Sequence, residues 1–363
     1  MNPVAALIRP DIAEMEPYQP IYPFDVVAGR LGRDPEHIIK LDANENPYGP
    51  SPGVRAVLAE LPYIHVYPDP ESRALRAALA DFTGVSADLL LAGCGADELI
   101  DLTMRLFLQP GDAILNCPPT FGMYAFDAAI AGAEVSAAPR GPDFRVDLDA
   151  VEQAVRRHGP KLLFVTCPNN PDGSWLPDAD LQRLLALPLV VILDEAYVEF
   201  ALPEESRIQW VAERENLIVL RSFSKWAALA GLRVGYGAFP AALMPHLWKI
   251  KQPYNVSAAA SAAGIAALRD RGYLERTVSR IVTERERLRQ ALDAVSYLHP
   301  YPSQANFLLC RVVGRDARGL KLSLEREGIL VRYFDQPHLR DHIRISVGRP
   351  DQTDALISVL RRL

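Results

Sequence analysis

Three short apolar runs constrain the fold more than anything else in the chain. Leu162–Thr166, Val190–Leu193 and Leu217–Leu220 are apolar at nearly every position, with no inward–outward alternation. Strands of that kind need both faces covered, as happens in a parallel sheet with helices on each side. Further strand-like stretches are Leu89–Leu91, Ala113–Cys117, Glu134–Ala138 and Val234–Phe239. Helical periodicity fills the intervals, for example at Ser72–Phe82, Asp97–Leu108 and Asp147–Arg157. The alternation predicts a layered α/β domain with a mostly parallel central sheet flanked by helices.

With 363 residues the chain exceeds what one core usually serves, so a second lobe is expected. Strand-like Asn306–Val312, Ile329–Tyr333 and Ile343–Val347, with helices at Ala317–Glu327 and Asp351–Leu363, predict a small α+β domain. A single long helix from Ser257 to Val295 is expected to link the two. The Pro- and Tyr-rich opening (Pro17, Tyr18, Pro20, Tyr22, Pro23) reads as an extended arm. The expected division is 1–50 for the arm and part of the small domain, 51–260 for the large domain, and 261–363 for the linking helix and small domain.

The formal net charge of −6 and the lack of a basic stripe argue against a nucleic-acid partner. Cys94, Cys117, Cys167 and Cys310 are widely spaced, so neither a metal site nor a disulfide framework is expected, and a reducing cytoplasm fits. The N-terminus does not read as a signal peptide, and the longest apolar stretch, around Leu184–Leu193, is too short to span a bilayer.

Five segments that follow predicted strands carry the chemistry, since open α/β sheets bind ligands beyond their strand ends. Ser222-Phe-Ser224-Lys225, with Arg233 eight residues on, combines an amine nucleophile with hydroxyl and guanidinium donors for a phosphate. Asp194 ends a buried strand, where it can keep a pyridine nitrogen protonated or simply cap a helix. Tyr197 and Asn170 can donate to a ring oxygen; Asn170 lies in a Pro-Asn-Asn-Pro stretch that also suits a plain turn. The turn Gly95-Ala96-Asp97 opens a helix, and backbone N–H groups there suit a phosphate. Phe121 can stack on an aromatic ring or fill a core.

At these residues the chain resembles the fold-type-I pyridoxal 5'-phosphate (PLP) enzymes, and within them the histidinol-phosphate aminotransferases. The matching strings are Asn44-Glu-Asn-Pro-Tyr-Gly-Pro50, Tyr67-Pro-Asp, Gly95-Ala-Asp-Glu-Leu99, Pro168-Asn-Asn-Pro171, Asp194-Glu-Ala-Tyr197, Ser222-Phe-Ser-Lys225, Gly231-Leu-Arg233, Ala305-Asn-Phe307 and Ile343-Arg-Ile-Ser-Val-Gly348. They run in order along nearly the whole chain. The resemblance implies that Lys225 is the Schiff-base lysine, with Asp194 at the pyridine nitrogen and Asn170 and Tyr197 at the phenolate oxygen. Ser222, Ser224, Arg233 and the Gly95–Asp97 turn would form the phosphate cup, and Phe121 would stack on the ring. Tyr67 would come from the second subunit of a homodimer. Tyr18, Asn46, Arg332 and Arg344 would contact substrate. The implied reaction is amino transfer between L-histidinol phosphate and 2-oxoglutarate in histidine biosynthesis, giving imidazole-acetol phosphate and L-glutamate. An aromatic amino-acid aminotransferase and a threonine-phosphate decarboxylase are the alternatives. A nucleotide-dependent dehydrogenase shares the strand–helix alternation, but no Gly-x-Gly-x-x-Gly follows the first strand. Two departures stand out: Asp172 replaces the family's usual threonine, and the bulky Trp226 follows the lysine.

Overall fold

The structure is a computed structural model that describes residues 4–17, 22–201 and 206–363. Among these residues two sheets form. The larger has seven strands in the order Leu90–Gly93, Gly235–Ala238, Leu217–Ser222, Val190–Asp194, Leu162–Thr166, Ala113–Asn116, Glu134–Ala137. Gly235–Ala238 runs antiparallel to both its neighbours; the other six strands share one direction.

The apolar runs behave as their composition demands. Leu163, Val165, Val191, Leu193, Leu217 and Val219 enter the main core on one face. Leu162, Phe164, Ile192, Ile218 and Leu220 enter a second core on the other. Successive side chains of a strand point to opposite faces, so two covered faces require apolar residues at every position. Each such Leu, Ile, Val or Phe contributes about 1.5–3 kcal/mol by leaving water.

The smaller sheet has the order Ile39–Leu41, Ile329–Tyr333, His342–Ser346, Phe307–Val312, Leu298–Pro300. Its edge strand Ile39–Leu41 pairs parallel with Ile329–Tyr333 and so ties the chain's beginning to its end. The sequence reading did not include this strand. Three residues of an edge strand carry too little pattern to register.

Two expectations need correction. The expected single linking helix is two, Ala258–Arg269 and Arg271–Asp293, broken at Asp270, where φ is −99° and ψ 51°. Apolar periodicity continues across the break, which hid it, and only Gly272 and the local Asp hinted at a stop. The arm is not wholly extended either. A helix spans Phe24–Leu31, opened by Pro23 and closed by Gly32 in the left-handed conformation at φ 62°.

Candidate active site

Parallel strands bring their carboxyl ends to one edge of the sheet, and the candidate residues gather there. Asp194 is the last residue of its strand and pairs in register with Thr166 of the next. Ser222 ends its strand opposite Gly235, and Gly235 in turn faces Gly93, just ahead of the Gly95–Phe107 helix. A cavity of about 160 Å³ at this edge is lined by Ala96, Asp97, Phe121, Asn170, Asp194, Tyr197, Ser222, Ser224, Lys225 and Arg233, with Thr166 among the remainder.

One end of this cavity is built for an anion. Arg233 donates to Asp97 at 2.7 Å and lies 3.4 Å from the Ser224 hydroxyl. The backbone of Arg233 sits at φ 53°, left-handed and costly for a residue with a Cβ, by roughly 1–3 kcal/mol. Gly95 has φ 77°, and a Cβ built on it would lie 2.5 Å from Arg233 Nη2. Gly95 therefore does not line the cavity; it leaves room for the guanidinium. Ser222 Oγ accepts from the Ser224 backbone N–H at 3.1 Å. The start of the Gly95–Phe107 helix adds its partial positive charge to these donors.

Lys225 and Asp194 carry the titratable chemistry. Burial, with help from the nearby Arg344 cation, lowers Lys225 to about 8. Its ammonium donates to the Ala43 carbonyl at 3.0 Å. Burial raises Asp194 to about 6, opposed by hydrogen bonds from the Tyr124 hydroxyl at 2.6 Å and the Ala196 N–H at 3.0 Å. Tyr124 also meets Thr166 Oγ1 at 2.7 Å, and Thr120 links Thr166 to Asn169. Neither Tyr124 nor these threonines was singled out in the sequence, where nothing distinguishes them from core residues.

A second cavity of about 220 Å³ adjoins the first and shares Phe121, Asn170, Tyr197 and Lys225 with it. Its far wall carries Arg332 and Arg344, register partners on neighbouring antiparallel strands of the small sheet. Like charges facing each other across a strand pair cost stability, a cost offset when an anion sits with them. Arg344 also donates to Asn170 Oδ1 and to the Asp42 carbonyl. With its oxygen so engaged, Asn170 offers its amide N–H groups to the cavity.

Not every expected residue is brought in. Tyr18 lies outside the described residues. Asn46 lines neither cavity: its amide donates to the Trp226 carbonyl at 2.9 Å and accepts from the Tyr48 N–H at 3.0 Å, a structural role. Asn44, two residues earlier in the same motif, lines the second cavity instead and donates to Tyr197 Oη at 3.1 Å. Tyr67 is 79% exposed, stacked on Tyr254 with ring centroids 4.6 Å apart, and does not line its own chain's cavity. Asp172 neither faces solvent nor lines either cavity. It is 2% exposed and accepts from Asn169 and from the Ser174 N–H, with its carboxyl raised by burial. Trp226 is core, stacked near Phe82 and Phe223, with its indole N–H on the Ser222 carbonyl at 2.9 Å. A wider cleft of about 800 Å³ runs past Phe144, Asp172, Trp175 and Tyr301; among the described residues no lysine lines it, and its Arg145 and Arg289 pair with Asp143 and Glu286.

Residues 36–360 match the aminotransferase class I and II family. The chain is 54% identical over 357 residues to the chloroplastic histidinol-phosphate aminotransferase of Nicotiana plumbaginifolia, covering 98% of this chain and 86% of that one. It is 52% identical to the histidinol-phosphate aminotransferase of Roseiflexus castenholzii, covering 99% of each. Among solved structures it resembles histidinol-phosphate aminotransferase from Sinorhizobium meliloti in complex with pyridoxal-5'-phosphate, with a TM-score of 0.90, 29% identity and 98% of each chain covered. The strand-end lysine, the buried aspartate beside it and the match over most of the chain agree: this chain belongs to the aminotransferase class I and II family.

Proposed function

We propose that this chain is a PLP-dependent aminotransferase that moves an amino group between L-histidinol phosphate and 2-oxoglutarate. One observation carries the reading: Lys225 and Asp194 share a cavity with an anion cup, and that cavity opens onto a second one walled by two arginines. The donor set fits PLP, because an amine, a carboxylate, an aromatic ring and a cup of N–H and O–H donors meet in one space. Ser222, Ser224, Arg233 and the backbone N–H groups at Ala96 and Asp97 would hold its phosphate. Asp194 would hold the pyridine nitrogen, Asn170 and Tyr197 the ring oxygen, and Phe121 the ring face. When bound, the cofactor supplies an aldehyde that condenses with amines and a cationic ring that draws electrons from the substrate carbon.

The chain's own residues then have defined tasks. Lys225 Nζ, as a free amine, would take the proton from the substrate Cα and deliver it to the carbon that the cofactor's aldehyde contributed. Asp194, buried at the strand end, would keep a negative charge against the ring nitrogen. Arg344 and Arg332 orient the substrate through its anionic groups, one phosphate and one carboxylate in the two halves of the reaction.

Lys225 also sets a pH dependence. An amine attacks a carbonyl only when neutral. With a value of about 8, roughly a tenth of Lys225 is neutral at pH 7, against under about one in a thousand for an ordinary lysine. The rate of PLP capture by cofactor-free protein should therefore climb from pH 6 and level off above about 8. Stopped-flow absorbance measures it; a rate still rising tenfold per unit at pH 9.5 would contradict the lowered value.

Substrate choice is tested by steady-state assays on L-histidinol phosphate, aromatic amino acids and threonine phosphate. We expect the highest kcat/KM for the first, with 2-oxoglutarate aminated to glutamate and the reverse reaction turning glutamate back into 2-oxoglutarate. Arg332→Ala should raise KM for the phosphorylated amine by about 10- to 100-fold, the loss of one or two charge-assisted hydrogen bonds. Carbon dioxide release from threonine phosphate, or equal use of phenylalanine, would overturn this assignment.

We further propose a homodimer in which Tyr67 reaches the partner's phosphate cup. The exposed Tyr63, Ile64, Val66 and Tyr67 support this, since large apolar side chains gathered in one exposed segment suit a protein interface. We divide the chain at 1–50, 51–260 and 261–363, supported by the two separate sheets. Among the described residues no helix is long and apolar enough to cross a membrane. The four free thiols, three of them buried, support a cytoplasmic setting.

A further inference from the structure

Asn44 holds a conformation that needs explaining. Its backbone is left-handed at φ 56°, its side chain is 1% exposed, and its hydrogen-bonding groups meet partners from both lobes. The backbone N–H donates to Ser346 Oγ at 2.8 Å, and the Ser346 hydroxyl donates back to Asn44 Oδ1 at 3.0 Å. The Asn306 amide donates to the Asn44 carbonyl at 2.8 Å. With Oδ1 accepting from Ser346, the Asn44 amide turns Nδ2 toward Tyr197 Oη at 3.1 Å.

The consequence follows from the inventory of a phenol. Tyr197 has one hydroxyl proton and two lone pairs. An N–H arriving from Asn44 fills a lone pair, so the proton must point elsewhere. Tyr197 lies edge-on against Phe307 on one side and borders the two cavities on the other. We propose that Asn44 is a positioning residue that aims the Tyr197 hydroxyl proton into the cavity, where the ring oxygen of the cofactor would receive it. This rests on the reading of Tyr197 given above. Ser346 and Arg344 sit two residues apart on one strand, so the strand that carries the substrate arginine also fixes Asn44.

The charged and titratable groups around Tyr197 are Arg344 from the small sheet, Asp194 from its own strand end, Asp97 from the helix at the anion cup, and Lys225 across the cavity. All are kept in the test. Asn44→Asp keeps shape and tolerates the left-handed backbone, but it puts an acceptor where a donor stood, so Tyr197 would turn its proton away from the cavity.

In the full-length holoenzyme the pH midpoint of the bound cofactor's visible band is measured for the wild type, Asn44→Asp, Tyr197→Phe and the double variant. A donor to the ring oxygen favours its anion, so losing it raises the midpoint. Each single variant should raise it by roughly one unit, and the double variant should match Tyr197→Phe alone. An unchanged midpoint in Asn44→Asp, or a further rise when it is added to Tyr197→Phe, would overturn the proposal, the second because it marks a charge effect that bypasses Tyr197. If Tyr197→Phe itself leaves the band unmoved, the role given to Tyr197 fails. The proposal is then decided in the cofactor-free chain by the ring-carbon NMR titration of Tyr197, which Asn44→Asp must shift upward and which, if unshifted, overturns it. Should Asn44→Asp not fold, Ser346→Ala, which releases the amide, must raise the visible-band midpoint; no rise overturns the proposal.

Discussion

Replacing Lys225 with alanine should lower kcat by about 10³-fold or more while leaving the protein folded and able to bind PLP. The loss would combine the two functions proposed for one nitrogen, the covalent anchor and the base that moves the Cα proton. Neighbouring groups cannot substitute. The cavity holds no second lysine, and the other lysine with a lowered value, Lys251, spends its ammonium on the Pro70 and Gln252 carbonyls. Binding should survive because Ser222, Ser224, Arg233 and the Gly95–Phe107 helix start are untouched. Single-turnover and steady-state assays separate the two effects. Multiple turnovers at more than about a tenth of the wild-type rate would rule out Lys225 as the reacting amine.

Asp194→Asn should cost about 10²- to 10³-fold in kcat with KM for the amine changed far less. The amide keeps the size of the carboxyl; with its oxygen accepting from the Ala196 N–H, its NH2 meets the Tyr124 hydroxyl, which can accept while donating to Thr166, so packing survives while the charge is lost. That charge matters because the site is buried: Asp194 is 4% exposed, and an ionic contact without water is worth several times its value in solvent. A merely structural aspartate would show the reverse pattern, with lowered stability and near-normal kcat. Thermal melts alongside kinetics distinguish the two. An Asp194→Asn enzyme within about threefold of wild-type kcat would remove Asp194 from the proposed chemistry.

How much of this was legible in the sequence differs from residue to residue. The large sheet was, because strands covered on both faces leave an unmistakable string, as in Leu162–Thr166. That the residues of the 160 Å³ cavity would gather at one sheet edge was largely legible too, since each follows a strand whose end is easy to find. The substrate side was harder. Asn44 and Asn46 are equivalent in a motif, and only the tertiary contacts decide which one faces the cavity: Asn46 is consumed by Trp226 and Tyr48, Asn44 by Tyr197 and Ser346. Asp172 was equally opaque. A carboxylate in a Pro-Asp-Gly turn normally faces water, and its burial depends on Asn169 and Ser174 presenting N–H donors at the right place. The break at Asp270 escaped because hydrophobic periodicity reports faces and not continuity. Arg332 and Arg344 lie twelve residues apart in sequence, and only strand register sets them opposite each other.

In the proposed function Lys225 and Asp194 grip one PLP molecule between them. Borohydride reduction of the purified protein, followed by peptide mass spectrometry, decides whether this is so. The expected result is loss of the visible band and a single modified peptide carrying the reduced pyridoxyl phosphate on Lys225. A colourless protein that takes up no PLP, or an adduct on Lys251 or any other lysine, would contradict it.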